Sequence, residues 1–286
     1  MEQAQVPSPT EALRSPYTLS FDMLTCTGNW AIEVAQVYPF AEVIGMDISP
    51  VTPQAPIPTN CRFVKGDVTD DLPSRFGNGR FDLVHSRYPL NSVSLPFFLS
   101  NLRVGGTSSD ICDRGLMGGV YETAWDHYIR DIYEILIPDH GHAQIIEFSL
   151  PKWANGSLPP NSALAEYYSL MAEGHRRRGT ISSGGSHLQQ RMRNAGFVDI
   201  QVTVKYVAVG DWPEEAQTVE EANFRRATSR CFFENVRDLV EDQPIFKEAY
   251  PSRVERKRFA DRVWEECYVG RYPLYTEVYF PFVGVC

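Results

Sequence analysis

The sequence predicts an α/β fold organised around a mostly parallel sheet, and the observations that predict it lie within residues 17–47. Residues 17–24 are extended and apolar, which suits a buried strand. After a short turn, Trp30, Val34 and Val37 recur at helical spacing, and a second short apolar strand follows. A strand, a helix and a strand in this order favour two parallel strands joined by a crossover helix.

The second strand ends at Asp47. An acid in this place, about twenty residues after a strand-to-helix turn, suits hydrogen bonding to a ribose. The alternative is an ordinary βαβ unit in which Asp47 caps the next turn, because one glycine-poor turn is a weak signal. Spacing alone leaves both interpretations open.

Three further strands, over residues 62–68, 81–87 and 142–148, carry polar residues at or near their carboxyl ends. These polar residues are Asp67, His85, Arg87 and Glu147. Open α/β sheets bind ligands at the edge where the carboxyl ends of their strands meet. We therefore expect Asp67, His85 and Glu147 to form the rim of a pocket together with Asp47.

Each of these four side chains has more than one interpretation. His85 is a candidate catalytic base, since the pKa of histidine lies near neutrality, or it satisfies backbone groups at the strand end. Arg87 either orients an anionic substrate group or pairs with an acid. Glu147 either lines the pocket or caps the following loop. Asp67 either contacts a ligand or is a solvated turn acid.

The rest of the chain continues the α/β pattern. Helices are predicted over residues 121–136, 164–173, 187–195, 216–240 and 253–267. A last strand over residues 275–283 is predicted to pair antiparallel with residues 200–207. Residues 1–16 are predicted to be a mobile leader. Residues 94–118 carry no predicted helix or strand, and they are either a substrate lid or translated intron sequence, because long structureless segments in a domain are functional or disordered.

Composition narrows the class of protein. With 286 residues and 43% hydrophobic content, the chain can bury a large core as one domain over residues 17–286. A net charge of −9 argues against a nucleic-acid partner. We find no apolar run long enough for a membrane span, so no membrane contact is predicted. The six cysteines include no C-x-x-C pair, which favours reduced thiols in the cytoplasm and no metal site.

Three segments resemble class I methyltransferases that use S-adenosylmethionine (SAM), and specifically the LaeA-like (UMTA) group of fungal methyltransferases. The segments are residues 30–33 (WAIE), 42–50 (EVIGMDISP) and 81–87 (FDLVHSR). The resemblance extends over residues 22–283, apart from residues 94–118, which it marks as an insertion. It implies a Rossmann-like class I methyltransferase fold, with a mostly parallel seven-stranded sheet, an antiparallel last strand and helical insertions. Residues 160–180 and 214–268 would then contribute helical elements of a substrate cap.

The resemblance also implies where SAM binds. The implied cofactor-binding residues are Asp22, Thr25 and Gly28 around the loop, Asp47 for the ribose with Ile48 beside it, and Asp67 and Val68 for the adenine. The loop departs from the family at Leu24 and Cys26, where the family has glycine. Glycine lets a backbone approach its ligand and adopt positive φ. Leu24 and Cys26 instead add side chains near the expected methionine part.

Three classes of function follow from this resemblance. The first is SAM-dependent methyl transfer to a small molecule in fungal secondary metabolism. The altered loop leaves open the second, a repurposed fold that cyclises or isomerises a polyketide-type substrate without methyl transfer. The third is a LaeA-like regulatory protein with a velvet-type partner, although the acidic balance weighs against it. A homodimer is compatible with all three.

Overall fold

The computed structural model describes residues 18–87, 120–148, 152–153, 158–180, 185–209, 236–268 and 274–285. The strands are β1 (Leu19–Met23), β2 (Glu42–Asp47), β3 (Cys61–Lys65), β4 (Leu83–Arg87), β5 (His142–Phe148), β6 (Lys152–Trp153), β7 (Val198–Val209) and β8 (Leu274–Gly284). The helices are α1 (Asn29–Val37), α2 (Leu72–Phe76), α3 (Trp125–Ile135), α4 (Ala163–Arg178), α5 (Gly185–Ala195), α6 (Pro244–Ala249) and α7 (Arg253–Tyr268), with a helical segment over 236–242.

Several predictions lie outside the described residues. They are the leader over 1–16, the insertion over 94–118 and most of the helix predicted over 216–240. Among the residues that are described, no helix is both long enough and apolar enough to cross a membrane.

The described strands form one sheet in the order β3-β2-β1-β4-β5-β8-β6, with β7 paired to β8. Strands β1 to β5 are parallel, whereas β8 runs antiparallel to both β5 and β7. The long β7–β8 pairing extends from Gln201 opposite Phe282 to Val209 opposite Leu274. The predicted mostly parallel sheet with an antiparallel last strand is therefore confirmed, with the two-residue β6 as an addition.

Helices cover both faces of the sheet, and successive residues of β2 show how the sequence directs this. Ile44 is buried in the main core with residues from α2, α3 and α5, such as Leu72 and Ile132. Its neighbour Val43 is buried on the other face, against Ala31 and other small residues of α1. Neighbouring side chains of a strand point to opposite faces. A fully apolar run is thus what a strand buried on both sides requires.

A second hydrophobic core lies apart from the main one. It joins α4, the 236–242 segment, α6 and α7, and it includes Tyr167, Phe246, Phe259 and Val263. The rings of Tyr167 and Phe246 stack with centroids 5.5 Å apart. These helices correspond to the regions that the sequence assigns to a substrate cap, and their capping role stays a prediction.

Two local elements differ from the sequence-based prediction. Strand β3 ends at Lys65, so Asp67 and Val68 lie in the turn after it. Helix α2 was not predicted, because five residues are too few to show helical periodicity. Its start has a capping signal, since the side chain of Asp71 accepts a hydrogen bond from Ser74 N at 2.9 Å.

Candidate cofactor site

The loop between β1 and α1 holds a left-handed backbone at every second residue. The φ angles are 58° at Leu24, 52° at Cys26 and 75° at Gly28. A side chain makes this conformation costly by about 1–2 kcal/mol per residue. The loop therefore keeps the shape for which the resembling family uses glycine, although two of the three residues are not glycine. The departure from the family pattern changes the side chains of the loop and leaves its positive φ angles in place.

Hydrogen bonds from the loop to β2 hold this shape. The N–H of Thr25 donates to the carbonyl of Met46 at 3.0 Å, and the N–H of Cys26 donates to Oδ2 of Asp47 at 2.9 Å. Within the loop, the N–H of Gly28 donates to the carbonyl of Thr25 at 2.8 Å. The loop is thus tied to the strand end that the sequence assigns to the ribose.

Asp47 also fixes the turn that follows β2. Its Oδ1 accepts a hydrogen bond from Ser49 N at 3.0 Å, while Oδ2 receives Cys26 N. A carboxylate has about four acceptor positions, so two backbone donors leave capacity for two hydroxyl groups of a ribose. The adjacent Ile48 is 53% exposed, which leaves an apolar surface beside the acid. This donor and acceptor arrangement fits a nucleoside.

Asp22 joins the loop to β4 beneath α1. Its Oδ2 accepts a hydrogen bond from Thr25 Oγ1 at 2.5 Å, and its Oδ1 lies 2.9 Å from Nδ1 of His85. The ring of Trp30 stacks on His85 with centroids 3.8 Å apart and planes 4° apart. All of these side chains except Trp30 are buried almost completely. The structure therefore brings together Asp22, Thr25 and His85, which the sequence assigns to the site.

His85 is neutral near pH 7. Its burial lowers the pKa below the ordinary value of 6.5, and this outweighs the hydrogen bond and charge of Asp22, which raise it. The positive charge of Arg87 lowers the pKa of His85 further. A neutral imidazole beside a carboxylate carries its proton on the nitrogen that faces the acid, so Nδ1 donates to Asp22. The role of His85 as a base stays a prediction.

Glu147 lies on the other face of the sheet. It is fully buried near the end of β5, two residues after Ile145, which pairs with Ser86 of β4 in the sheet register. Tyr128 belongs to the main core and shares a 2.5 Å hydrogen bond with Ser86. Alternation along β4 places Ser86 and His85 on opposite faces. The sheet therefore separates Glu147 from the pair formed by Asp22 and His85.

The turn after β3 carries the two residues assigned to the adenine. Oδ1 of Asp67 accepts hydrogen bonds from both the N–H and the hydroxyl of Thr69, at 2.9 and 2.7 Å. The side chain of Val68 is buried in the main core. Asp67 therefore shapes the turn, and its second carboxylate oxygen remains an acceptor for a ligand group.

Phe63 is a site residue that sequence reasoning missed. A Cβ atom on Gly28 would lie 2.5 Å from Cζ of Phe63, and one on Gly45 would lie 2.6 Å from Cδ1 of the same ring. Both glycines are therefore needed to admit this ring under the start of α1. Trp30 was noted as part of the helical pattern, but its stacking on His85 depends on tertiary contacts that periodicity does not reveal.

The strand order, with an antiparallel strand between β5 and β7, defines the class I methyltransferase fold. The chain is related in sequence to fungal proteins of this class and of the LaeA-like group, so the resemblance found in the sequence is confirmed. It is 30% identical to the secondary metabolism regulator LAE1 of Cochliobolus heterostrophus over 213 residues, which is 74% of this chain and 58% of that protein.

Two further fungal relatives support the same relationship. The secondary metabolism regulator laeA of Monascus pilosus is 42% identical over 199 residues, 66% of this chain and 43% of that protein. The methyltransferase pytC of Aspergillus terreus is 25% identical over 201 residues, 70% of this chain and 52% of that protein. The chain thus spans about half the length of the curated relatives it matches. No protein-family model matches the chain.

Proposed function

We propose that this chain is a SAM-dependent methyltransferase acting on a small molecule in fungal secondary metabolism. The observation that carries the proposal is the loop at residues 24–28, which keeps its left-handed shape and is tied to Asp47. Fungal relatives named as a methyltransferase and as regulators of secondary metabolism support it.

The residues of the chain fit the parts of SAM in different ways. Asp47 would accept hydrogen bonds from the ribose hydroxyls, with the exposed Ile48 beside it. Asp67 would accept a hydrogen bond from the exocyclic amine of the adenine, and residues 24–28 would hold the methionine part. Bound SAM supplies a methyl group on a positively charged sulfur. The chain contributes by holding the two reactants in line, because correct positioning accounts for much of the rate in such a transfer.

Calorimetric titration with SAM tests the proposal. Asp47→Ala removes the ribose acceptor and should weaken SAM binding by about 1.5–3 kcal/mol, the scale of hydrogen bonds to charged groups. Glu42→Ala is the matched control, because Glu42 is an exposed acid at the opposite end of β2, where it pairs with Arg62. Absence of SAM binding by the wild type would refute the proposal, and equal affinity in a folded Asp47→Ala variant would rule out the ribose role of Asp47.

A regulatory protein is the second candidate, and the names of the LAE1 and laeA relatives favour it. Such a protein would bind another protein, for example of the velvet type, with or without SAM. A pull-down from fungal lysate with the wild type and with Asp47→Ala would test this candidate. A partner retained equally by both proteins, together with no methyl transfer to small molecules, would favour regulation over catalysis.

The non-methylating enzyme stays a prediction with less support. Its reasons were the altered loop and the insertion over 94–118. The left-handed φ angles of Leu24 and Cys26 weaken the first reason, because the loop adopts this conformation without the two glycines. Turnover of a polyketide-type substrate in the absence of SAM would favour it.

A further inference from the structure

Asp22 is the connection between the loop and the neighbouring strand β4. One carboxylate oxygen receives the hydroxyl of Thr25 at 2.5 Å and the other faces Nδ1 of His85 at 2.9 Å. All three side chains are buried. A buried carboxylate is costly unless its oxygens are paired, so removing the donor on one side weakens the whole connection.

His85 is held both at its edge and on its face. Asp22 fixes the position of Nδ1, and the indole of Trp30 covers the ring at a centroid distance of 3.8 Å. Trp30 lies in the first turn of α1, two residues after Gly28. The imidazole therefore joins the start of α1 to Asp22, and through Asp22 to the loop.

The loop needs such support because its conformation is strained. Left-handed residues with side chains persist where the surrounding structure determines their geometry. Thr25 lies between the left-handed residues Leu24 and Cys26, so its hydroxyl anchors the strained segment at its centre. Its backbone N–H is also fixed, by the carbonyl of Met46.

We propose that His85 is a positioning residue, which acts through Asp22 and Thr25 to hold residues 24–28 in the left-handed form that receives SAM. The binding of SAM by the loop rests on the function proposed above, whereas the control of the loop conformation does not. This role differs from that of a catalytic base, which would take a proton from the substrate and leave the loop unaffected.

The experiment follows the loop and the cofactor separately. The thiol of Cys26 is half-buried within the loop, and its alkylation by iodoacetamide can be followed on its own peptide by mass spectrometry. SAM affinity is measured by calorimetry, and folding by circular dichroism. The alkylation rate of Cys26 is measured without SAM. The control of the loop conformation and the binding of SAM are therefore tested independently.

Two substitutions of His85 separate its donor from its ring. His85→Phe keeps a ring against Trp30 and removes the donor, whereas His85→Asn replaces Nδ1 by an amide nitrogen and removes the ring. We expect His85→Phe to raise the alkylation rate of Cys26 and the Kd for SAM by roughly tenfold, the size of one hydrogen bond to a charged group. His85→Asn should restore much of the wild-type behaviour in both measurements.

Thr25→Val cuts the same connection at its other end while changing one hydroxyl to a methyl. It should reproduce the effect of His85→Phe, and it decides the matter if His85→Phe does not fold. Wild-type alkylation of Cys26 in folded Thr25→Val would overturn the proposal. So would variants of His85 that lose turnover while keeping wild-type alkylation and SAM affinity, the pattern of a base. Faster alkylation in the variants, with no SAM binding by the wild type or any variant, would support the positioning role and refute the proposed function.

Discussion

Replacing Cys26 by glycine should stabilise the protein relative to replacing it by alanine. Cys26 has a φ angle of 52°, which a residue with a Cβ atom adopts at a cost. Both substitutions remove the thiol and its contacts, so the difference between them isolates the cost of the Cβ atom. The comparison therefore measures the backbone strain stored at one residue of the proposed cofactor loop.

The magnitude follows from two opposing contributions. Relief of the left-handed conformation contributes about 1–2 kcal/mol. The greater freedom of glycine in the unfolded chain offsets about 0.5–1 kcal/mol of this. The glycine variant should thus exceed the alanine variant by about 0.5–1 kcal/mol in the free energy of unfolding. Near the midpoint, this corresponds to roughly 1–4 °C for a chain of this size.

Urea and thermal denaturation, followed by circular dichroism, would measure this difference. An alanine variant as stable as the glycine variant would show that residue 26 carries no strain in solution, and that the loop adopts another conformation there. Leu24→Gly, compared with the wild-type protein, provides a contrast. Leu24 packs against the main core, so Leu24→Gly loses apolar contacts that offset the relief of strain, and no net gain is expected.

Three further outcomes are expected. Burial lowers the pKa of His175 to about 4, so the unfolded chain binds more protons than the folded chain between pH 4 and 6.5. The free energy of unfolding therefore falls as the pH drops through this range. His175→Asn should make the free energy of unfolding, measured by urea denaturation, less dependent on pH there. Tyr128→Phe leaves the buried hydroxyl of Ser86 without its 2.5 Å partner and should cost about 1–3 kcal/mol, measured by denaturation. Replacing residues 94–118 by a short linker should leave a folded protein without turnover of its natural substrate.

Each of these three predictions can be contradicted by a specific result. An unchanged slope in His175→Asn would mean that His175 titrates alike in the folded and unfolded chains. Tyr133→Phe is the control for Tyr128→Phe, because Tyr133 is a partly buried residue on the same helix. Full activity after removal of 94–118 would make that segment a passenger, and loss of folding would place it in the core.

The strands and their direction were predictable because burial on both faces leaves long apolar runs in the sequence. The pairing of 275–283 with 200–207 was predicted and is observed. The end of β3 was not predicted correctly. The turn begins where the N–H of Gly66 donates to the carbonyl of Asp47, and this contact joins β3 to the neighbouring strand β2. Sequence periodicity reports burial along one segment and carries no information on such partners.

The site was only partly predictable, because a local sequence pattern does not reveal tertiary partners. The position of Asp47 at a strand end follows from the local pattern. The pairing of Asp22 with His85 depends on the register between β1 and β4, which places the two residues side by side although they are 63 positions apart. The conformation of Leu24 and Cys26 runs against their own preference, so local propensity predicts the opposite of what the tertiary contacts impose.

The ring of Phe63 links substitutions at positions far apart in the chain. A methyl group on Gly45 would meet the ring at 2.6 Å and Thr25 Oγ1 at 3.0 Å. Gly45→Ala alone should therefore displace both neighbours, whereas a smaller residue at 63 would make room for it. In a double-mutant cycle, positions 45 and 63 should show strong non-additivity. Natural variants of this protein are then expected to change the two positions together.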